Sequence, residues 1–367
     1  MGLAVRRLTL HDWRCFEERT IDLAAGLNVF CGPNATGKTN AVEALQLLTA
    51  GTSFRHPRTD ELVRDGAQSA RAAARLEGDG RVVDVCCHCM PGKRRTFERN
   101  GKPARPADLS ATLMSVLFTP DDLTLIKGSA KARRDELDDF GAQANASFRK
   151  VVRAYGRAVD QRNRLLKDPL MDEGMLAAWD AAVALGGATL LRARMALFER
   201  LRAKMCEIYA RVGTESLEGR YDCTLGPEAR GLSRDELRDL FLDRMERTRA
   251  EELRRGMTLS GPHRDDVTFI LGGRDVRSFG SQGQQRSVVL AWKMAEVAIA
   301  AEVVGEQPLL LLDDVMSELD ERRRVALTEF VGGRIQTVVT TANLQYFPSD
   351  LLGDARVVEF GERGLNA

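Results

Sequence analysis

The sequence predicts an α/β protein in which both ends of the chain build a sheet with its helices, and a mostly α-helical lobe is inserted between them. Three observations predict this class. A glycine-rich turn at 32–39 separates a short apolar strand from a helix. A second apolar strand, "PLLLLDD" at 308–314, lies near the other end. Between them, apolar residues recur at helical spacing from about 126 to 255.

Composition limits the kinds of protein that this chain can be. The 367 residues are enough for two domains, and a hydrophobic content of 44% supports real cores. With 54 basic and 53 acidic residues the formal net charge is +1, so nucleic-acid binding would need local patches. The seven cysteines form no disulfide framework, and we find neither a signal peptide nor a run of about 18 apolar residues. We therefore expect a reduced, cytoplasmic protein with no membrane partner.

The N-terminal part predicts three strands, a loop and a helix over residues 3–50, with a short buried strand at 27–31. Strand patterns follow from about 67 to 102, where Asn100 and Gly101 form a two-residue hairpin turn. These elements belong to the first part of the predicted sheet domain.

The rest of the chain divides into the helical segment and a second α/β part. The helical segment is interrupted by "DPLMDEG" at 168–174 and is too short for a long coiled coil. Strand patterns return at "DDVTFILGGRDV" and continue with "PLLLLDD" and "IQTVVTTAN". We predict an N-terminal head part at 1–125, an inserted helical lobe at 126–255 and a C-terminal head part at 256–367.

The turn "GPNATGKT" satisfies the phosphate-loop pattern G-x-x-x-x-G-K-[ST] between a strand and a helix. Glycines let backbone N–H groups surround the phosphates, and the helix N-terminus adds a positive dipole end. Lys38 would reach the β- and γ-phosphates, and the Thr39 hydroxyl would ligate Mg²⁺. The residues expected to bind ATP here are Gly32, Pro33, Asn34, Ala35, Thr36, Gly37, Lys38, Thr39 and Asn40.

Two adjacent carboxylates end the strand "PLLLLDD". Ligand sites of such sheets lie at the carboxyl ends of the strands. Asp313 is therefore the expected Mg²⁺ carboxylate and would hold the metal through water. Asp314 is the candidate that polarises the attacking water. Slow turnover is expected because an aspartate reaches less far than a glutamate.

The segment "SQGQQR" at 281–286 opens a long apolar helix. Ser281, Gly283 and Gln284 leave backbone N–H groups and a small hydroxyl accessible at the helix N-terminus, where a phosphate can dock. The alternative is an ordinary serine-capped helix with a flexible lead-in.

Together these segments resemble the RecF family of SMC-like, ABC-type ATPases, which act in bacterial recombinational DNA repair. The resemblance is carried by "CGPNATGKTNAVEAL", "TSFRHPRTDELVRDG", "LFTPDDLTLIKGSAKARRDELD", "SGPHRDD", "SQGQQR" and "LLLLDDVMSELD", which span nearly the whole chain. The chain departs from the pattern at Ala35, where relatives usually have glycine, and at Asp314, where related ATPases usually have glutamate. A glutamine loop and a switch histidine are not recognisable. The positional candidates are Asp121, Asp122, Thr341 and Asn343.

The resemblance implies an ABC-type ATPase head that uses ATP and Mg²⁺ and forms an ATP-dependent homodimer. In such a dimer Ser281, Gly283 and Gln284 meet the γ-phosphate of a second copy, so Ser281 acts in trans beside the catalytic residues Lys38 and Asp314 of that copy. The resemblance also implies weak DNA-stimulated ATPase activity and binding to double-stranded DNA at single-strand gaps or junctions. A RecR-type loader protein is the implied partner in promoting RecA loading.

Several arginines form local basic patches despite the neutral total charge. Residues 127–167 contain 11 basic and 5 acidic side chains. Such patches suit duplex phosphates, which give affinity without sequence readout, although a basic stripe is also typical of a solvated helix face. The candidate DNA-binding residues are Arg55, Arg94, Arg95, Arg149, Arg153 and Arg157.

Two other motifs have simpler interpretations. Cys86 and Cys89 have C-x-x-C spacing, but no second pair follows, and the alternation of the segment is typical of a buried strand. His263 in "SGPHRDD" is expected at the joint between head and lobe, with a contact to nucleotide or DNA as the alternative.

Two further function classes stay open at this stage. An ATPase subunit of a transporter would share the phosphate loop and the signature, although the inserted helical segment does not suit docking on a membrane partner. A non-hydrolysing scaffold switched by ATP is compatible with Asp314 in place of glutamate.

Overall fold

A computed structural model describes residues 2–332 and 335–361. The strands are β1 (Ala4–Trp13), β2 (Phe16–Asp22), β3 (Leu27–Cys31), β4 (Ala70–Gly78), β5 (Arg81–Cys89), β6 (Thr96–Arg99), β7 (Lys102–Ala104), β8 (Ser115–Phe118), β9 (Leu217–Asp222), β10 (Asp266–Leu271), β11 (Arg274–Asp275), β12 (Leu309–Asp313), β13 (Thr337–Thr341) and β14 (Arg356–Glu359). The helices are α1 (Lys38–Ala50), α2 (Pro106–Ser110), α3 (Thr124–Lys127), α4 (Ala130–Ala144), α5 (Ala146–Leu165), α6 (Glu173–Val212), α7 (Arg234–Arg255), α8 (Val276–Phe279), α9 (Gln282–Val304), α10 (Glu321–Val331) and α11 (Ser349–Gly353).

The chain divides into two compact units. One is formed by Met1–Asp122 with Lys293–Ala367, and the other by Leu123–Trp292. Residues 256–292 therefore belong to the same compact unit as the inserted segment. The domain boundaries predicted after residues 125 and 255 remain a prediction.

A parallel sheet organises the first unit. Its strand order is β14-β3-β13-β12-β8, and every neighbouring pair is parallel. The apolar strands predicted around 27–31, 308–314 and 335–343 are β3, β12 and β13 of this sheet. All five residues of β12 are buried, as expected for a strand covered on both faces. Since β13 lies between β3 and β12, the ends of these three strands meet at one edge.

An antiparallel sheet of order β2-β1-β4-β5-β6-β7 completes the first unit. Leu8, Ala72 and Cys87 on three of its strands belong to one core cluster with Leu45 of α1. The predicted hairpin is present: Arg99 pairs with Lys102, and both turn residues between them have positive φ. The fold class predicted from the sequence is confirmed.

The second unit is mostly helical and is organised around buried ion pairs. Arg162 of α5 is fully buried and donates to Asp180 of α6 at 2.6 Å and to Glu252 of α7 at 2.6 Å. Because a buried charge is costly unless it is paired, these contacts fix how the three helices pack. One expectation is wrong in detail: β9 lies inside the segment predicted as helical, and it pairs with β10.

Helix α6 also corrects the expectation that no segment could cross a membrane. It contains an 18-residue window with a mean hydropathy of 1.4, so by length and composition alone it is apolar enough to cross a membrane. However, 44% of that window is buried inside the protein, and α6 supplies core residues such as Leu191 and Phe198. A long core helix has the same composition.

Candidate nucleotide-binding site

The phosphate loop turns sharply between β3 and α1, and two of its glycines make that turn possible. Gly37 has a φ of 99°, and a Cβ atom there would lie 2.5 Å from Phe16 Cζ. Gly32 has a φ of 153°, and a Cβ atom there would lie 2.0 Å from the carbonyl oxygen of Phe360. Only glycine fits either position. Ala35 adopts a φ of 65°, so the residue that departs from the family pattern has left-handed backbone strain.

Lys38 begins α1 and is 8% exposed. Its Nζ donates to the carbonyl oxygens of Gly32 and Pro33, both at 2.7 Å, so the ammonium lies against the loop. Burial lowers the pKa of Lys38, and the nearby Asp314, Cys31 and Asp313 oppose that shift. A cation that has lost solvation in this position is suited to bind an anionic polyphosphate.

Asp313 connects the loop to the neighbouring strand. Its Oδ1 accepts from the Thr39 hydroxyl at 3.0 Å and from the Thr340 hydroxyl at 2.8 Å. Burial raises the pKa of Asp313, while the two hydroxyl donors lower it. Hydroxyl and carboxylate oxygens are the ligands that Mg²⁺ prefers, and Mg²⁺ needs few of them when phosphates and water complete its shell. The chemistry of this pair therefore fits the predicted metal.

Asp314 follows at the end of β12 with a φ of 54°, and it is exposed. Its N–H donates to Thr340 Oγ1 at 2.9 Å. The Ser317 hydroxyl lies 2.9 Å from the Asp314 carbonyl oxygen and 3.3 Å from its Oδ1. Thr340 thus contacts both acidic residues, and sequence reasoning missed it, because nothing in the sequence shows that β13 lies next to β12.

Arg55 lies beside the phosphate-loop helix. Its Nη1 donates to Asn40 Oδ1 at 2.9 Å and lies 3.6 Å from the buried Glu43 carboxylate. It also helps to lower the pKa of Asp313 electrostatically. The sequence suggested Arg55 as a DNA contact, but these partners place it next to the predicted magnesium site.

The positional candidates for the glutamine loop and the switch residue make local contacts. Asp122 Oδ2 accepts from the Thr119 N–H at 2.5 Å, and Asp122 lies 3.4 Å from Lys293 Nζ. Asp121 is exposed on the same turn. Thr341 Oγ1 donates to the carbonyl oxygen of Asn343 at 2.9 Å and accepts from its N–H at 3.0 Å.

The predicted signature lies in the second unit, at the start of α9. Ser281 is exposed, whereas Gly283 and Gln284 are half-buried. The Ser281 N–H donates to Gln284 Oε1 at 2.8 Å, and the Gln284 N–H donates to Ser281 Oγ at 3.2 Å. The helix N-terminus is thus capped by its own residues, and Phe279 just before it is 70% exposed.

The other arginines proposed for DNA binding have different environments. Arg94, Arg153 and Arg157 are exposed. Arg95 is half-buried, and its Nη1 has no hydrogen-bond partner. Arg149 is half-buried as well. Burial lowers the pKa of its guanidinium, and the positive charge of Arg153 lowers it further.

The two cysteines with C-x-x-C spacing lie on opposite faces of β5. Cys89 is buried in the core, whereas Cys86 Sγ lies 3.3 Å from His88 Nε2 on the opposite face of β5. Over residues 2–332 and 335–361, no group of three or more His, Cys, Asp or Glu residues could hold a metal ion. The Mg²⁺ expected at Thr39 and Asp313 would therefore depend on oxygens of the nucleotide and water.

His263 is held within the second unit. Its Nε2 lies 3.2 Å from the carbonyl oxygen of Thr258, which can only accept, so Nε2 carries the proton. Its Nδ1 then accepts from the Tyr155 hydroxyl at 2.7 Å. Burial lowers the pKa of His263 to about 4, so the ring is neutral at physiological pH.

Comparison with known proteins identifies relatives along nearly the whole chain. Residues 4–349 match the model of the RecF/RecN/SMC N terminal domain. The chain is 40% identical over 345 residues to the DNA replication and repair protein RecF of Symbiobacterium thermophilum, covering 92% of this chain and 91% of that protein. It is 36% identical over 361 residues to the protein of the same name from Gloeobacter violaceus, with 96% of each covered.

Solved structures agree with these matches. The recombination mediator protein RecF with ATPrS, in the RecFOR pathway, superposes with a TM-score of 0.88 at 27% identity, covering 95% of this chain and 94% of that one. An Smc head domain from Pyrococcus furiosus shares the fold, with a TM-score of 0.57 at 17% identity, covering 97% and 93%. The chain therefore belongs to the RecF family, within the RecF/RecN/SMC group of proteins.

Proposed function

We propose that this chain binds and slowly hydrolyses ATP, associates with a second copy when ATP is bound, and binds duplex DNA at single-strand gaps or junctions in the cytoplasm during DNA repair. The observation that carries this proposal is the meeting of Lys38, Thr39 and Asp313 at the ends of β3 and β12, with Thr340 between them. The names of the relatives support the repair role, and the relative solved with ATPrS supports ATP as the nucleotide.

Each residue of the site has a proposed role. Lys38 would exchange its loop carbonyl partners for the β- and γ-phosphates. Thr39 and Asp313 would hold Mg²⁺, which neutralises charge on the phosphate oxygens when it is bound. Asp314 would accept a proton from the attacking water, and its short, exposed side chain is consistent with slow turnover.

The signature would act in trans. Ser281 opens a 23-residue helix and is exposed to an incoming ligand, and its helix N-terminus favours an anion. A γ-phosphate bound to the phosphate loop of a second copy is the ligand we propose. A RecR-type partner and assistance in RecA loading are part of the proposal, supported by the relative described in the RecFOR pathway.

A mixing experiment tests the trans arrangement. We expect that Ser281→Arg and Lys38→Met proteins each fail to dimerise and to hydrolyse ATP when alone. In a mixed dimer one composite site has both defects, while the other combines an intact phosphate loop with an intact signature. The mixture should therefore recover ATP-dependent association in sedimentation and part of the phosphate release.

Ser147→Arg places the same change at an exposed position of α5 and serves as the control, which should behave like the parent. Recovery at no mixing ratio, even with both copies tethered in one chain, would reject the trans signature. A Ser281→Arg protein that hydrolyses ATP normally on its own would reject it as well.

A non-hydrolysing ATP switch is the second candidate, and the environment of Asp314 favours it. Its carboxylate lies within 3.3 Å of the Ser317 hydroxyl, which competes with a water for the same oxygen. Phosphate release measured with and without duplex DNA separates the two candidates. Release above the level of a Lys38→Met protein would establish the enzyme.

A further inference from the structure

The signature helix is restrained by a residue outside its own motif. Gln284 caps the helix, with its Oε1 accepting from the Ser281 N–H at 2.8 Å. The Nε2 atom of the same amide donates to Glu215 Oε1 at 2.7 Å. Glu215 therefore fixes the orientation of the side chain that occupies the first N–H of the signature.

The loop that carries Glu215 is itself held at both sides. Gly213 follows α6 directly, and a Cβ atom there would lie 2.1 Å from the ring of Tyr209, so the loop starts in close contact with the helix. On the other side, the Gly272 N–H donates to the carbonyl oxygen of Ser216 at 3.0 Å. Glu215 thus projects from a short loop between two fixed points of the same unit.

The charge at this position opposes the ligand proposed for the signature. Hydrogen bonds from Thr214 and Gln284 lower the pKa of the Glu215 carboxyl, so it is ionised at neutral pH. A terminal phosphate approaching the Ser281 N–H would meet a carboxylate one side chain away. Like charges at such distances repel each other, although solvent weakens the effect.

We propose that Glu215 is a positioning residue that keeps the signature in a self-capped form, which the γ-phosphate of a second copy must open before it can bind. The inference deepens the proposed function and rests on it. Because Glu215 stabilises only the capped form, it raises the ATP concentration at which two copies associate. Any partner that shifts the end of α6 would change this threshold.

Hydrogen exchange in the absence of nucleotide tests the contact directly. In a Glu215→Ala protein the Gln284 amide loses its anchor, so the Ser281 N–H should exchange several times faster than in the parent. The matched control is Glu218→Ala, three residues further on and exposed on β9. Equal exchange in the parent and Glu215→Ala proteins would show that Glu215 does not hold the cap.

Association with ATP tests the consequence. Sedimentation at increasing ATP should show half-maximal dimerisation of Glu215→Gln and Glu215→Ala at about two- to fivefold lower ATP than the parent, the size expected for a solvent-exposed contact of a charged side chain. Glu218→Gln should match the parent. An unchanged or higher requirement for ATP would overturn the proposed restraint. A parent protein that never dimerises with ATP would instead reject the proposed function, while the exchange measurement would still decide the contact.

Discussion

Thr340→Val removes one hydroxyl from the centre of the candidate site and leaves the shape of the side chain almost unchanged. Thr340 is 1% exposed. Its hydroxyl donates to Asp313 Oδ1 at 2.8 Å and accepts from the Asp314 N–H at 2.9 Å. Valine can make neither bond, so both acidic residues at the end of β12 lose a partner at once.

The magnitude follows from these two bonds. A hydrogen bond to a charged group contributes about 1.5–3 kcal/mol, and a buried donor left without a partner costs about 1–3 kcal/mol. Asp313 keeps the bond from Thr39, and Asp314 is partly accessible to water, so both losses are partly compensated. We expect Thr340→Val to reduce the free energy of unfolding by about 2–4 kcal/mol.

Thr337→Val is the matched control, because Thr337 is fully buried on the same strand and its hydroxyl donates only to the carbonyl oxygen of Ile335, at 3.1 Å. Its cost should be about 1 kcal/mol in denaturant unfolding. Phosphate release should fall at least about tenfold in Thr340→Val only, which corresponds to an activation free energy higher by about 1.4 kcal/mol. Thr340→Ser, which retains the hydroxyl, should restore it. Equal effects of the two valine variants on stability and phosphate release would refute the reasoning.

The same substitution has a pH signature. Burial raises the pKa of Asp313, and the Thr340 hydroxyl counteracts that shift, so Thr340→Val should raise this pKa further. Mg²⁺ would bind the ionised carboxylate. As the pH is lowered, Mg²⁺-dependent ATP binding should therefore start to weaken at a higher pH in the variant than in the parent. Comparing the variant with the parent cancels the titration of the nucleotide itself.

Three further predictions address other parts of the chain. Asp314→Asn should slow phosphate release while ATP-dependent dimers persist longer in sedimentation, because an amide cannot accept the proton of water; unchanged release would assign this role to another residue. Ala35→Gly should stabilise the protein by about 1 kcal/mol in denaturant unfolding, because the φ of 65° strains alanine but not glycine; no gain would show that the strain is relieved elsewhere. Arg153→Glu with Arg157→Glu should weaken binding to all duplex sequences alike and reduce the log–log salt slope by about 0.9 per lost contact; an unchanged slope would make this face of α5 merely solvated.

The elements that the sequence predicts well are those whose signals are local. β3 has the predicted bounds because a short apolar run ends in a glycine turn. The hairpin at Asn100 and Gly101 follows from the positive φ that both residues accept. The phosphate loop belongs to the same class as far as the positive φ of Gly32 and Gly37 is concerned, because this is a local feature of the turn.

β9 shows where local patterns fail. Leu217, Gly219 and Tyr221 face inward and alternate with exposed or half-buried polar residues, so a period of two is present. The run is short, and its middle inward-facing position is a glycine rather than an apolar side chain, so the alternation is not visible in the sequence. Gly219 is close to Phe198, since a Cβ atom there would lie 3.2 Å from its ring. The partner strand β10 lies more than forty residues further along the chain, so there is no hairpin turn between the two strands from which the pairing could be predicted.

The candidate site divides in the same way. Lys38, Thr39 and Asp313 could be named because each belongs to a motif that is complete within its own segment. Thr340 could not, because its role depends on the strand order, which puts β13 between the other two strands. A residue that connects two motifs in space carries no motif of its own.

Basic residues make the limit of sequence reasoning clearest, since charge alone does not say what a side chain binds. Arg55 donates to Asn40 near Asp313, and Arg149 is half-buried and donates to the carbonyl oxygen of Ala142, so their role as DNA contacts stays a prediction. Arg153 and Arg157 of the stripe remain exposed. Two phosphate contacts on α5 would give a log–log salt slope of only about −1.8 from this face. A steeper measured slope would therefore require other basic residues, or a second copy of the chain on the same DNA.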